Sequence, residues 1–128
     1  MLQREHRLTS SQDFKVVFSG GKTYVNRLIV LKVLPKSNER PSRFGFSTSS
    51  KLGNAVVRNR AKRLLREAVR LLGDRVKLQG RDVVLIARPP IREANMGEVQ
   101  RAVEELFRKA GLLVENGQAG NATEKENG

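Results

Sequence analysis

Six basic side chains lie within residues 58–70, RNRAKRLLREAVR, and they are the side chains of this sequence best suited to bind a ligand. Guanidinium and ammonium groups bind phosphate oxygens, and arginine also stacks on bases. The only acidic residue in the stretch is Glu67, which could pair with Arg63 or Arg70 in a helix. The segment therefore predicts an anion-binding surface with most of its charge uncompensated. The basic residues are Arg58, Arg60, Lys62, Arg63, Arg66 and Arg70.

The overall composition also favours a polyanionic partner. The chain has 25 lysines and arginines against 13 acidic residues, which gives a formal net charge of +12 and a pI of about 11.1. A field of that sign attracts nucleic acid or an anionic membrane surface. The length of 128 residues suits a single domain, which we predict over residues 1–114. Residues 115–128 are poor in apolar side chains and are predicted to form a disordered tail.

Side chains for catalysis or metal binding are sparse. The absence of cysteine excludes disulfides, thiolate metal sites and cysteine nucleophiles. His6 is the only histidine, and Glu104 and Glu105 occupy consecutive helix positions that diverge. We therefore predict no catalytic residue, no metal ligand and no cofactor held by the protein. Because the N-terminus lacks a signal-peptide core and no long apolar run follows, the predicted location is the cytoplasm.

A helix over residues 55–72 is predicted to carry the basic side chains. Asn54 suits the N-cap, and Gly73 follows the last helical position. At about 100° per residue, one side of this helix is apolar and the basic residues fall on the other side. The predicted apolar stripe consists of Val57, Ala61, Leu64, Ala68 and Leu71.

A basic amphipathic helix could be a solvated surface, a membrane-binding segment or a nucleic-acid-binding element. Like charges four residues apart, such as Lys62 and Arg66, cost on the order of a few tenths of a kcal/mol per pair, which argues against a merely solvated face. Membrane-surface helices usually carry large apolar residues that insert, whereas these apolar residues have core-packing size. The excess of arginine over lysine matches phosphates and bases. Nucleic acid is therefore the favoured partner.

The remaining sequence predicts an α+β fold. Further helices are predicted at residues 10–21 and 96–111, and strands at 27–35, 43–49 and 81–90. The first two of these strands are predicted to pair with each other. The strand at 81–90 is apolar on both faces and is predicted to be central in the sheet. We expect the helices to cover one face of this small sheet.

Residues 51–70, KLGNAVVRNRAKRLLREAVR, resemble the signature helix of the protein subunit of bacterial ribonuclease P, with its Arg-Asn-Arg core after a Gly-Asn-Ala-Val turn. The resemblance covers roughly residues 4–111, because RLTSSQDFKVVFSGGKTYVNRLIVLKVLP, RFGFSTSSKLGNAVVRNR and RDVVLIARPP follow in the family's order. It implies a single-domain, two-layer α/β sandwich of order α-β-β(-β)-α-β-α. It also implies a left-handed βαβ crossover, an exception to the usual right-handed rule.

The same resemblance implies a role in tRNA maturation. The catalyst would be an RNA subunit that requires Mg²⁺ and binds most of it. The protein would bind that RNA and the 5′ leader of precursor tRNA, which strengthens and broadens substrate recognition. The alternative is a general RNA- or DNA-binding module, such as a ribosomal protein, that uses the same helix.

Two predicted surfaces follow for the residues of this chain. Phe14 and Phe18 match aromatics that border the family's leader-binding cleft, and Lys32 stands where some relatives have a tyrosine facing the leader. On pattern alone the two phenylalanines are more simply core residues, although single-stranded RNA does stack on aromatics. Ser50 stands where many relatives have a second lysine, so their leader preferences are not carried over. The predicted RNA-binding residues are Lys51, Asn54, Arg58, Asn59, Arg60, Lys62, Arg63, Arg66 and Arg70.

Overall fold

A computed structural model of the chain describes residues 3–114 as one four-stranded sheet with three α-helices. The helices are α1 (Ser11–Gly20), α2 (Ala55–Leu72) and α3 (Met96–Lys109). The strands are β1 (Lys22–Val25), β2 (Ile29–Pro35), β3 (Arg43–Thr48) and β4 (Arg81–Ala87). The α+β class and the predicted element order are confirmed, and β1 is the strand that the predicted order left optional. The predicted tail at 115–128 lies outside the described residues.

The order of strands in the sheet is β1-β2-β4-β3. β1 pairs with β2 and β2 with β4 in antiparallel fashion, whereas β3 and β4 are parallel. The predicted central position of β4 is confirmed. The predicted pairing of β2 with β3 is wrong, because β4 lies between these two strands in the sheet. The chain reaches β4 from β3 through α2. The handedness of this β3-α2-β4 crossover stays a prediction from the resemblance.

Helices pack on both faces of the sheet. On the core face, Leu31 of β2 and Leu85 of β4 are fully buried beneath α2 and α3. On the opposite face, here called the open face, α1 packs through Val17 against Val84 of β4. The expectation that helices cover only one face is therefore wrong for α1. This short helix leaves part of the open face uncovered, where Val25 of β1 is exposed.

The bounds of α2 agree with the sequence prediction. The Asn54 side chain caps the helix by accepting a hydrogen bond from the Val57 backbone N–H at 3.1 Å. The predicted apolar stripe is partly wrong, because Leu71 is 52% exposed and Leu64 is only half-buried. Adjacent residues of a helix point about 100° apart. In each of the pairs Leu64-Leu65 and Leu71-Leu72, the second leucine faces the core. The buried residues of α2 are Ala61, Leu65, Ala68, Val69 and Leu72.

The third helix completes the core face. Its start is fixed by a capping box, in which Asn95 and Glu98 exchange hydrogen bonds between side chain and backbone. Phe107 of α3 stacks on Phe44 of β3, with 6.2 Å between ring centroids. Gly111 follows the helix with φ of 72°, as expected for the residue just past the last turn. Helices α2 and α3 thus rest on a continuous apolar core, so α2 is a rigid support for its outward-facing side chains.

Candidate nucleic-acid interface

Three arginines of α2 are exposed on the side opposite its buried residues. Arg63, Arg66 and Arg70 share this side, while Leu65 and Ala68 anchor the opposite one in the core. Within residues 3–114, no carboxylate forms an ion pair with Arg63 or Arg66. Their charges are therefore available to a polyanion, as the sequence predicted.

The three arginines line a groove between α2 and the N-terminal segment, here called the α2 groove. It has a volume of about 770 Å³ and crosses β3, one of the two edge strands of the sheet. Phe14 of α1 and Phe46 of β3 supply apolar surface within it. Arg7 from the N-terminal segment adds a further cation to the lining. Proteins that bind single-stranded nucleic acid combine basic side chains, which contact the phosphates, with aromatic rings, on which the bases stack.

Two of these arginines have partners within the protein. The Arg66 guanidinium lies 5.6 Å from the centroid of the Phe46 ring, within the range of a cation–π contact. Arg70 donates from Nε to Oε1 of Glu67 at 3.0 Å. This hydrogen bond holds the pKa of the Glu67 carboxyl below its ordinary value and raises the pKa of Arg70. Glu67 thus offsets charge at the Arg70 end of the groove, which leaves Arg63 and Arg66 as its strongest cationic part.

Arg58 and Arg60 contact the protein's own backbone. Arg58 donates from Nη1 to the Gly53 carbonyl oxygen at 2.6 Å. Arg60 donates from Nη2 to the Ala94 carbonyl oxygen at 2.9 Å and from Nη1 to that of Ile91 at 3.5 Å. These bonds tie the first turns of α2 to the loop before it and to the segment before α3. The two arginines therefore hold the helix in place, whatever further contacts they make with RNA.

The other predicted RNA-binding residues lie near the start of α2. Lys51 and Asn59 are exposed, and Lys62 is half-buried. Asn54 uses its side-chain oxygen for the helix cap, so this atom already has a partner. The structure therefore brings the predicted set to one helix and the loop before it, with Arg63 and Arg66 best placed to face a ligand.

The predicted leader-binding residues share the open face. Lys32 of β2 donates from Nζ to Oγ1 of Thr23 on β1 at 2.9 Å. Phe14 is half-buried, whereas Phe18 is 40% exposed, and the two rings meet edge to face with 6.2 Å between centroids. We call the surface formed by α1 and the uncovered part of the open face the open-face cleft. Phe14 also lines the α2 groove, so it lies where the two surfaces meet.

Arg7 and Phe46, which supply a cation and an aromatic ring to the α2 groove, were not among the predicted site residues. Arg7 belongs to a basic N-terminal stretch, REHR, whose charge was a visible signal. Phe46 alternates with small residues in RFGFSTS, but a strand pattern does not say that the strand lies at a sheet edge beside α2. Both residues reach the groove only through tertiary packing.

The one histidine is structural. His6 is 7% exposed, and its Nδ1 lies 2.6 Å from the Ser42 carbonyl oxygen. Across residues 3–114, no group of three or more His, Asp or Glu side chains is arranged to hold a metal ion. No helix in that part of the chain is long and apolar enough to cross a bilayer.

Fold and surface define a small, basic α+β protein of the RNA-binding class, with an arginine-lined groove beside an edge strand. Residues 2–111 match the family described as Ribonuclease P, and the chain belongs to that family. Members supply the RNA-binding protein subunit of a ribonucleoprotein endoribonuclease that processes tRNA. The ribosomal-protein alternative is not favoured by these findings.

Relatives and solved structures agree on this assignment. The chain is 47% identical over 116 residues to the ribonuclease P protein component of Symbiobacterium thermophilum, a match that covers 91% of this chain and 100% of the relative. It is 43% identical over 115 residues to that of Caldanaerobacter subterraneus subsp. tengcongensis, covering 90% and 97%. The RNase P protein of Staphylococcus aureus superposes with a TM-score of 0.73 at 30% identity, covering 84% of this chain and 96% of that one.

Proposed function

We propose that this chain is the protein subunit of a bacterial ribonuclease P and assists an RNA subunit in removing the 5′ leader from precursor tRNA. The observation that carries the proposal is the exposed row of Arg63, Arg66 and Arg70 on a core-anchored helix, in a chain of this family. These side chains would contact phosphates of the RNA subunit or its substrate, and such contacts are favourable because bound cations are released.

The open-face cleft is the proposed site for the leader. A single strand passing along α1 would find the exposed ring of Phe18 for base stacking and the ammonium group of Lys32 for a phosphate. The ammonium group of Lys32 has three N–H donors, so it could bind a phosphate through another N–H while it keeps the bond to Thr23. The α2 groove would contact RNA on the other side of Phe14.

Cleavage itself is assigned to the RNA subunit. The Mg²⁺ expected for the reaction would be held mainly by the RNA, as the family resemblance implies. The chain contributes binding energy and positioning, and its proposed location is the cytoplasm with its RNA partner.

The proposal is tested by comparing the affinity of the assembled complex for a precursor tRNA and for the same tRNA without its leader. We expect tighter binding of the precursor, and a strong decrease of affinity with salt, with a slope of about −0.7 in log–log form per phosphate contacted on a single strand. Equal affinities for the two RNAs would overturn the leader site. A nearly flat salt response would overturn the phosphate-binding role of the arginines.

A further inference from the structure

We infer that Asp13 and Gly45 are positioning residues: together they fix α1 on the open face and so set the shape of the cleft in which the leader would bind. Neither residue belongs to the predicted RNA-binding or leader-binding sets. The inference rests on the proposed function, because it concerns the substrate that the open-face cleft would hold.

The first attachment of α1 is an ionic one through Arg43 of β3. Arg43 forms a bidentate ion pair with Asp82 of β4: its Nε donates to Oδ1 at 3.0 Å, and its Nη2 donates to Oδ2 at 2.7 Å. Its remaining nitrogen, Nη1, donates to Oδ2 of Asp13 at 3.1 Å. Asp82 is only 3% exposed, so the guanidinium is held in one orientation by a buried partner. Asp13, in the first turn of α1, is thereby bound to a fixed point on the sheet.

The second attachment is steric and involves Gly45. A Cβ atom at position 45 would lie 2.5 Å from Cζ and 2.9 Å from Cε1 of the Phe14 ring, and 3.0 Å from the Leu8 carbonyl oxygen. Distances this short leave no room for a side chain while the ring stays in place. The ring of Phe14 therefore rests directly on the backbone of β3, and glycine is the residue that permits this approach.

The two attachments act on consecutive residues of α1 and on one face of one strand. Arg43 and Gly45 are two positions apart in β3, so both face α1 across the open face. Asp13 and Phe14 are thus held at two points, which fixes both the location and the direction of the helix. Phe18 lies one helical turn further along and contacts the Phe14 ring edge to face. Its exposed surface in the cleft is therefore set by the contacts of residues 13 and 14.

The direct test is Gly45→Ala in the complex assembled with the RNA subunit. The added methyl group would push the Phe14 ring and the start of α1 away from β3. We expect affinity for precursor tRNA to fall about fivefold or more, comparable with losing one stacked base, and affinity for leaderless tRNA to stay unchanged. Gly20→Ala is the matched control, because a Cβ at position 20 would only make an ordinary contact of 3.5 Å with Leu34. This control should bind both RNAs as the wild type does.

A double-mutant cycle tests the steric cause. Phe14→Leu removes the ring atoms that a Cβ at position 45 would meet. On that background Gly45→Ala should cost little further affinity for the precursor, so the two losses should not add. Additive losses would show that Gly45 acts by another route and would overturn the steric part of the inference.

Asp13→Asn tests the ionic attachment. It weakens the bond from Arg43 while leaving the buried Asp82 paired, whereas replacing Arg43 would strand that carboxylate. Because Asp13 also lies in the first turn, where acids favour the helix, the variant is paired with Ser11→Asp, which restores an acid there. We expect a loss of precursor affinity that Ser11→Asp does not rescue, with leaderless tRNA unaffected. If Gly45→Ala fails to fold, Asp13→Asn still tests the ionic attachment, and the steric attachment is tested by whether Phe14→Leu restores folding to Gly45→Ala.

The outcomes separate this inference from the proposed function. If the wild-type complex binds precursor and leaderless tRNA equally well, the leader site itself is wrong. If the wild type prefers the precursor and Phe18→Leu abolishes that preference, but folded Gly45→Ala and Asp13→Asn proteins keep it, then the leader site stands and the positioning role is overturned. Losses that are equal for both RNAs would likewise overturn it, because they would reflect general stability.

Discussion

Arg60 donates a hydrogen bond to the carbonyl oxygen of Ala94 at 2.9 Å, which joins the first turns of α2 to the segment preceding α3. The arginine belongs to the Arg-Asn-Arg core, the part of the basic helix that most resembles the family signature. Its guanidinium therefore has a structural task inside the protein. Arg63, one turn further along, has no such bond among the described residues and faces the α2 groove.

We predict that Arg60→Ala and Arg63→Ala separate these two roles. Arg60→Ala should lower the free energy of unfolding by about 1 kcal/mol, because it removes hydrogen bonds to partly buried carbonyls. Arg63→Ala should change it by no more than about 0.5 kcal/mol and reduce the salt dependence of RNA binding by about one phosphate contact. Urea unfolding and salt titration measure both quantities. Equal unfolding midpoints for the two variants would contradict the structural role of Arg60.

The sequence predicted the bounds of α2 correctly but not all of its buried face. A capping asparagine and a terminal glycine are local signals, and both act within one turn. Which of two adjacent leucines faces the core depends on how the helix is rotated against the sheet and α3, and no local signal encodes that. The predicted pairing of β2 with β3 was wrong for a related reason. These strands are consecutive in the sequence, but β4, which follows α2 in the chain, lies between them in the sheet.

The buried face of α2 can be checked with matched leucines. Leu65→Ala should lower the free energy of unfolding by about 2–5 kcal/mol, because Leu65 is fully buried in the core. Leu71→Ala should cost no more than about 0.5 kcal/mol, because that side chain is 52% exposed. Chemical unfolding of both variants provides the measurement. A larger cost at Leu71 than at Leu65 would restore the stripe predicted from the sequence.

For the open-face cleft, the informative change is Phe18→Leu. It keeps most of the apolar volume and removes the ring, so binding of precursor tRNA should weaken by about 1–3 kcal/mol while leaderless tRNA is barely affected. Parallel affinity measurements on the two RNAs give the answer. An equal loss for both, or no loss for either, would make Phe18 an ordinary apolar residue of α1.

Glu104 on α3 should contribute a pH-dependent part of the stability. Hydrogen bonds from Arg75 and Arg108 hold the pKa of this carboxyl below its ordinary value of 4.5. A lowered pKa in the folded state favours folding above the unfolded value, and this contribution is lost as the pH falls through the folded one. Wild type should therefore be more stable than Glu104→Gln at pH 7, and acid titration of unfolding should show the difference begin to shrink near pH 4.5 and disappear once the pH is below the lowered pKa of the folded state. A difference that grows towards low pH would contradict this.

The candidate site was only partly visible in the sequence. The basic residues of α2 can be read directly from the sequence, and the amphipathic pattern of the helix predicts that they face solvent. The exposure of Arg63, Arg66 and Arg70 could therefore be predicted. The α2 groove could not, because its other wall comes from residues about fifty positions earlier, such as Arg7 and Phe14. The contact of Phe14 with Gly45 is equally invisible in the sequence, since it depends on how α1 crosses the sheet.

Reconstitution of cleavage tests the central claim most directly. A bacterial ribonuclease P RNA is incubated with precursor tRNA at a low Mg²⁺ concentration, with and without the folded chain, and release of the 5′ leader is measured. We predict cleavage at the mature 5′ end only when the chain is present, and weaker stimulation by a variant in which Arg63 and Arg66 are both replaced by alanine. A folded wild-type chain that leaves the cleavage rate of the RNA unchanged would contradict the account.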